Sequence, residues 1–218
     1  MKLFTLTRLL FLLLLPLAAC AADNSALPTL VEGKDYDLIA QPGPFAPLDG
    51  KVEVVEVFGY TCPHCAHFQP LLEAWQARQK ADVRFTAVPA VFGGYWDSYA
   101  RAYYAAEQVG AVARTHDEMF KALHERHSLP FQNVSAQELA TFYADYGVEP
   151  QRFIDALGSD QVMEKMRDAR AFAIRTGVDG TPTLIVNGKY IVKGNSFEGM
   201  LSNADALIAR ERAAATSH

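Results

Sequence analysis

The sequence predicts an α/β fold in which an all-helical segment interrupts a small sheet. Residues 52–58 have the β-branched, mostly apolar pattern of a buried strand, and apolar residues at helical spacing follow directly. Residues 83–88 alternate as a second strand, which a right-handed crossover would place parallel to the first. Helical periodicity then extends over residues 96–175, before strand and hairpin patterns return at 183–192.

The chain begins with the pattern of a secretory leader. Lys2 and Arg8 precede an apolar run over residues 9–15, and small residues follow Pro16. The run is too short to span a bilayer, so we interpret residues 1–19 as a signal peptide.

The end of the leader allows two interpretations. The segment from Leu17 to Cys20 resembles a bacterial lipobox, which would leave Cys20 as a lipid-modified N-terminus. Alternatively, Ala19, Cys20 and Ala21 could serve as an ordinary small-residue cleavage site that releases a soluble protein. We favour lipidation, because cysteine is otherwise scarce in the chain. In both cases the mature protein is exported to a compartment in which disulfides persist.

Length and charge limit the classes of function. A chain of 218 residues with a formal net charge of −5 can bury a sizeable core, and loss of the leader makes its charge more negative. This charge argues against binding to nucleic acid and against electrostatic attachment to a membrane. We expect a monomer.

A short cysteine motif lies where the first strand gives way to the first helix. Cys62 and Cys65 enclose Pro63 and His64, and Pro63 suits the first position of a helix because its missing N–H is not needed there. Cys62 would then lie beside unpaired backbone N–H groups and the positive end of the helix dipole, both of which favour a thiolate.

This motif predicts thiol–disulfide exchange. The reaction needs an exposed thiolate and a second thiol close enough to resolve a mixed disulfide, and Cys65 lies one turn beyond Cys62. A protonated His64 would lower the pKa of Cys62 further. Each unit of lowering stabilises the reduced form by ~1.4 kcal/mol, or ~30 mV, so the pair should be an oxidant.

Half of a zinc site is the alternative interpretation of the motif. Structural zinc takes about four ligands, and the remaining cysteine, Cys20, lies in the leader. His64 and His67 would have to complete the set, although they point to different sides of a helix start. We therefore favour redox chemistry and expect neither a metal nor a dissociable cofactor.

The other elements follow from turn and cap signals. Residues 36–39 fit a short edge strand, and the first helix should extend to about Lys80 with a kink at Pro70. A capping box at Ser135 opens one of the later helices. The predicted helices of the long segment cover residues 98–109, 115–124, 135–146, 150–158 and 161–175.

The C-terminal part should return to the sheet. Residues 183–186 fit a strand, and Asn187-Gly188 predicts a type I′ hairpin that leads into an antiparallel strand at 190–192. Residues 197–210 fit a closing helix, and the end of the chain from Ala213 to His218 should be frayed.

This order of elements resembles the thioredoxin fold, and the segment from Phe58 to Cys65 with its helical insertion resembles the DsbA family of periplasmic dithiol oxidases. The resemblance covers essentially the whole mature chain. It implies a thioredoxin-like domain in two parts, 23–94 and 171–212, with an inserted helical domain at 95–170.

The resemblance also implies roles for individual residues. Cys62 is the nucleophile, Cys65 is the buried resolving partner, and the Cys62–Cys65 disulfide is the redox-active group. Pro182 should be cis, with Thr181 facing the disulfide, so that an extended substrate backbone can pair beside them.

Glu56 is the remaining candidate for the active site. An acid in a strand covered on both faces is costly unless it is paired or functional. Family members carry an acid at this offset that shuttles a proton to or from the resolving thiol, often beside a lysine on the next strand. Here that strand offers only Arg84 and, nearest to Glu56, Ala87, so we expect the pKa of Glu56 to be raised.

We therefore predict that the protein donates its disulfide to reduced exported polypeptides and is reoxidised by a quinone-linked membrane partner of the DsbB type. A periplasmic reductase or isomerase and a peptide-binding chaperone are the alternatives.

Trp96 and several histidines have no expected catalytic role. We expect His67 to lie on the surface and Trp96 to pack between domains. His116, His124 and His127 should face solvent.

Overall fold

A mixed five-stranded sheet forms the centre of the computed structural model, which describes residues 29–216. The elements are β1 (Tyr36–Leu38), β2 (Val52–Phe58), α1 (Pro63–Gln76), β3 (Val83–Pro89), α2 (Tyr95–Gln108), α3 (Val112–His124), α4 (Ala136–Ala144), α5 (Pro150–Leu157), α6 (Asp160–Thr176), β4 (Thr183–Val186), β5 (Tyr190–Val192) and α7 (Phe197–Thr216).

The sheet order is β1-β5-β4-β2-β3, which places β2 between a parallel and an antiparallel neighbour. All seven residues of β2 are buried, as expected for a strand covered on both faces. The predicted parallel pairing of β2 with β3 is confirmed. The carboxyl end of β2 therefore opens onto the redox motif from the middle of the sheet.

The helical insertion shares a continuous hydrophobic core with one face of the sheet. Val55 and Val57 of β2 belong to the same buried cluster as Tyr99 of α2, Met119 of α3 and Phe153 of α5. The opposite face is covered by α1 and α7, where Phe68, Trp75 and Leu207 belong to a second cluster. The insertion thus packs directly against the strand that carries the redox motif.

The hairpin near the C-terminus has the predicted backbone. Asn187 and Gly188 both have positive φ, at 50° and 60°, as a type I′ turn requires, and Lys189 N–H donates to the carbonyl of Val186 at 2.9 Å. Because Val186 of β4 pairs with Tyr190 of β5, the loop has three residues, Asn187, Gly188 and Lys189, and not the two that the sequence predicted.

Several predicted helix ends are displaced. The helix α1 ends at Gln76 and not near Lys80, whereas α2 and α3 begin earlier than predicted, at Tyr95 and Val112. Pro70 does lie inside α1.

The prediction of a frayed end from Ala213 is wrong as far as the structure describes it, because α7 continues to Thr216. Arg212 forms a two-bonded ion pair with Asp82 at 2.6 and 2.8 Å, which anchors this end of the helix. The alanines that follow also favour helix.

The predicted signal peptide and Cys20 lie outside the described residues. None of the helices in residues 29–216 combines the length and the apolar character that a membrane span requires.

Candidate active site

The redox turn, defined here as residues 59–62, connects β2 to α1. The backbone N–H of Cys62 donates to the carbonyl of Gly59 at 3.0 Å, so Tyr60 and Thr61 are the central residues of a β-turn. Cys62 is the N-cap of α1, and Pro63 begins the helix, as predicted. The Cys62 sulfur therefore lies where the helix has unpaired N–H groups.

The two thiols differ in their access to solvent. Both cysteines are present as free thiols, and Cys62 is 7% exposed whereas Cys65 is 1% exposed. Cys62 is thus more enclosed than the exposed nucleophile predicted from the sequence, although it remains the more accessible of the pair. Pro63 and His64 are exposed beside it.

The surroundings of the two sulfurs shift their pKa values in opposite directions. The pKa of Cys62 is lowered to about 5, chiefly by a hydrogen bond from the Cys65 thiol, and further by the Thr181 side chain and the backbone N–H groups of Cys65 and His64. Burial opposes this lowering. The pKa of Cys65 is raised well above its usual range, first by burial and then by its hydrogen bond to Cys62. Only Cys62 is a thiolate at neutral pH.

Thr181 and Pro182 lie directly against this thiol. The peptide bond between them is cis, as the family resemblance implied. In its protonated form, the Cys62 thiol donates to the Thr181 carbonyl at 3.4 Å. The Thr181 hydroxyl is buried and has no other hydrogen-bond partner among the described residues, so it is free to donate to the Cys62 thiolate.

Glu56 lies in β2 beneath the cysteines and is 1% exposed. Its pKa is raised to about 8, mainly by burial and secondly by the negative charge of Cys62. The expected rise is therefore confirmed. Its register partner on β3 is Ala87, which has no polar group to offer, and its Oε2 atom has no hydrogen-bond partner among the described residues.

Arg84 pairs with a different acid, which sequence reasoning missed. Its guanidinium lies 2.8 Å from Glu53, the residue opposite it in the β2–β3 register. Glu53 is fully buried and also accepts hydrogen bonds from the backbone N–H groups of Phe45 and Ala46. Burial on both faces of β2 was the available signal, because it makes every acid of that strand a candidate for pairing.

A cavity of about 410 Å³ connects Glu56 to the cleft between α1 and α3. Tyr103, His116 and Asp117 line it together with Glu56. The cavity has polar groups in its lining and is large enough to hold water.

Among the described residues, the histidines outside the redox motif fall into two groups. His67 and His127 are exposed, as predicted. The prediction of a solvent-facing position is wrong for His116 and His124, because both hydrogen-bond to Tyr60 at the boundary between the insertion and the sheet. Burial lowers the pKa of His116 to about 4, so its ring is neutral at pH 7.

Trp96 packs at the same boundary, as predicted. Its ring lies so close to Gly59 that a Cβ atom at that position would overlap it. Glycine is therefore required where β2 enters the redox turn. Among residues 29–216, no group of three or more His, Cys, Asp or Glu side chains is arranged to hold a metal ion.

Comparisons with known proteins agree with this geometry. A family model described as Thioredoxin matches residues 48–206. The thiol:disulfide interchange protein DsbA of Pseudomonas aeruginosa is 37% identical over 202 residues, which cover 91% of each chain.

Solved structures give the same result. The crystal structure of oxidoreductase DsbA from Xylella fastidiosa is 55% identical, with a TM-score of 0.83, and the match covers 84% of this chain and 98% of that one. The Pseudomonas aeruginosa DsbA structure has a TM-score of 0.79 at 36% identity and covers 86% and 97%. With its redox turn, its buried acid and these relatives, the chain belongs to the DsbA family of thioredoxin-fold thiol:disulfide oxidoreductases.

Proposed function

We propose that this protein inserts disulfides into reduced, newly exported polypeptides in the periplasm by donating the Cys62–Cys65 disulfide. The observation that carries the proposal is the opposite displacement of the two thiol pKa values, down to about 5 for Cys62 and well upward for Cys65. A low pKa makes Cys62 a good leaving group, so its bond to a client sulfur breaks readily.

The transfer proceeds in two exchanges. A client thiolate attacks the Cys62 sulfur, the Cys62–Cys65 bond breaks, and Cys65 leaves with the electron pair. A second client thiolate then attacks the client sulfur of the mixed disulfide and releases the Cys62 thiolate. Two electrons pass from the client to the cysteine pair, and the client gains one disulfide.

Glu56 supplies the proton that the first exchange needs. Cys65 is buried and its thiolate is unfavourable, so it must be protonated as it leaves. With a pKa of about 8, Glu56 carries a proton at pH 7 and regains it through the adjoining cavity. In the reverse direction, during reoxidation, Glu56 accepts the proton of Cys65.

Clients bind along Thr181 and Pro182, which lie beside the accessible thiol. Pairing of backbone groups with an extended segment is independent of side-chain identity, so specificity should be broad. The same site is bordered by the exposed residues Pro63 and His64.

A quinone-linked membrane partner of the DsbB type reoxidises the cysteine pair and passes the two electrons on to the quinone. The scheme requires no metal and no dissociable cofactor.

We further propose that the mature chain acts as a monomer, with a helical domain at 95–170 inserted between the parts 23–94 and 171–212. The helix α6 crosses position 170 without interruption. A lipid on Cys20 would tether the protein to the membrane.

The test is oxidation of a reduced, unfolded client that contains one native disulfide. The oxidised protein should transfer a stoichiometric disulfide, and Cys62→Ala should abolish the transfer. If Cys62→Ala transfers no disulfide but still suppresses aggregation of the unfolded client as well as the wild type does, the protein is a chaperone. Net reduction of an oxidised client in glutathione buffer would indicate a reductase or isomerase.

A further inference from the structure

Tyr60 is held at both of its polar ends by the helix α3. Its hydroxyl group is hydrogen-bonded to Nδ1 of His116 at 2.8 Å, and its carbonyl accepts a hydrogen bond from Nε2 of His124 at 2.7 Å. The residue is 2% exposed, and its ring packs edge-on against Phe58 and Phe120. Tyr60 therefore has one well-defined position between the sheet and the insertion.

The second of these hydrogen bonds acts on the backbone of the redox turn. Tyr60 and Thr61 are the central residues of that turn, so the Tyr60 carbonyl belongs to its middle peptide. The middle peptide of a β-turn can face either way, and the orientation distinguishes type I from type II turns. Because a carbonyl only accepts, His124 must present an N–H to it and thereby favours one orientation.

The insertion contacts the beginning of the turn as well. The Trp96 ring of α2 lies against Gly59 where a side chain would otherwise stand. Residues of α2 and α3 thus contact the turn at its first and second positions. The turn leads directly to Cys62, whose pKa is lowered chiefly by the Cys65 thiol and in smaller part by the backbone N–H groups of Cys65 and His64.

We propose that His116 and His124 are positioning residues for the thiol chemistry, through which the helical insertion sets the geometry of the redox turn. They act through Tyr60 and not by contact with either sulfur. A displaced turn would move the Cys62 sulfur relative to its stabilising N–H donors. The inference goes beyond the proposed function, because it assigns to the insertion a control over how oxidising the cysteine pair is.

The variants follow from the two hydrogen bonds. His124→Ala removes the donor to the turn carbonyl, and His124→Gln offers an amide N–H in its place. Tyr60→Phe removes only the hydroxyl and keeps the packed ring, and His116→Phe removes the other side of the same bond. His127→Asn is the matched control, because His127 is exposed beyond the end of α3 and its positive φ of 49° suits asparagine, whose amide can keep the hydrogen bond of Nδ1 to the Leu123 carbonyl.

The measurement is the equilibrium constant of each variant with glutathione, together with urea unfolding of its oxidised and reduced forms. We expect His124→Ala to become less oxidising by about threefold to tenfold, equivalent to the loss of one hydrogen bond. His124→Gln should recover most of this loss, and His127→Asn should match the wild type. Tyr60→Phe, His116→Phe and their double variant should show the same smaller effect, because they remove one shared bond.

A purely structural role predicts a different result. The variants would then lose stability equally in the oxidised and reduced forms, and the glutathione equilibrium would stay at its wild-type value, which would overturn the inference. The proposed function fails separately, if the wild-type protein itself does not oxidise a client.

Discussion

Glu56 and Ala87 are register partners on the parallel strands β2 and β3, and the alanine leaves the buried carboxyl without a cationic neighbour on that strand. The only arginine of β3, Arg84, is paired with Glu53. The pKa of Glu56 is consequently set by burial and by the Cys62 charge, and it rises to about 8. With this pKa the Glu56 carboxyl is protonated at neutral pH.

Replacement of Glu56 by glutamine should stabilise the folded protein near neutral pH. The unfolded carboxyl has a pKa near ~4.3, so the folded state binds more protons between that pH and about 8. The contribution of Glu56 to stability is therefore most favourable at low pH and is lost as the pH rises through 8. From these two pKa values we expect Glu56→Gln to gain about 3 kcal/mol of folding stability at pH 7 and little at pH 4.

Urea unfolding of the reduced protein at both pH values measures this difference. Glu164→Gln, at an exposed position on α6, is the control and should change neither value. Equal effects of Glu56→Gln at the two pH values would contradict a raised pKa. The same variant should slow release of Cys65, since glutamine cannot donate the proton.

The Cys65 thiol should be the main neighbour that lowers the pKa of Cys62. Its hydrogen bond to the Cys62 sulfur is the largest of the lowering contributions. Cys65→Ser keeps a donor at this place and Cys65→Ala removes it. We expect Cys62 in the alanine variant to titrate about one unit higher than in the serine variant. Thiolate absorbance at ~240 nm follows the titration, and identical midpoints would exclude this hydrogen bond as the cause.

Replacement of His64 by serine should make the protein less oxidising, but only moderately. The backbone N–H of His64 is among the groups that lower the pKa of Cys62, and serine retains it. Only the imidazole ring is lost, so the rise in the Cys62 pKa should stay below about one unit. An unchanged thiolate titration would show that the exposed ring has no electrostatic role, with His67→Gln as the control for loss of an exposed histidine.

A methyl group at Gly59 should destabilise the protein by displacing Trp96. The added Cβ would overlap the indole ring, and overpacking of this kind costs about 1–3 kcal/mol. Gly180→Ala is a matched control, since nothing lies within 4 Å of its added Cβ. In a Trp96→Leu background the penalty of Gly59→Ala should shrink. A full penalty in that background would mean that the cost arises elsewhere in the turn.

Local patterns were sufficient to predict β2, the helix start at Pro63 and the hairpin at Asn187, because each depends on a few adjacent residues. The raised pKa of Glu56 was also predictable, since the missing lysine is visible in the sequence.

Contacts between distant segments were not predictable in the same way. Tyr60 is separated from its two histidine partners by 56 and 64 residues of sequence. No local pattern around His116 or His124 indicates these contacts. The Glu53–Arg84 pair depends on the register of β2 and β3 and on the loop at Phe45, which folds back over the strand.

The dithiol form should be favoured over the disulfide form, because Cys62 is held as a thiolate at neutral pH. Equilibration of the protein with reduced and oxidised glutathione at pH 7 measures this preference directly. Known reference potentials are about −120 mV for DsbA and about −270 mV for thioredoxin. We expect a value close to the first, and a value close to the second would contradict the assignment of this protein as an oxidant.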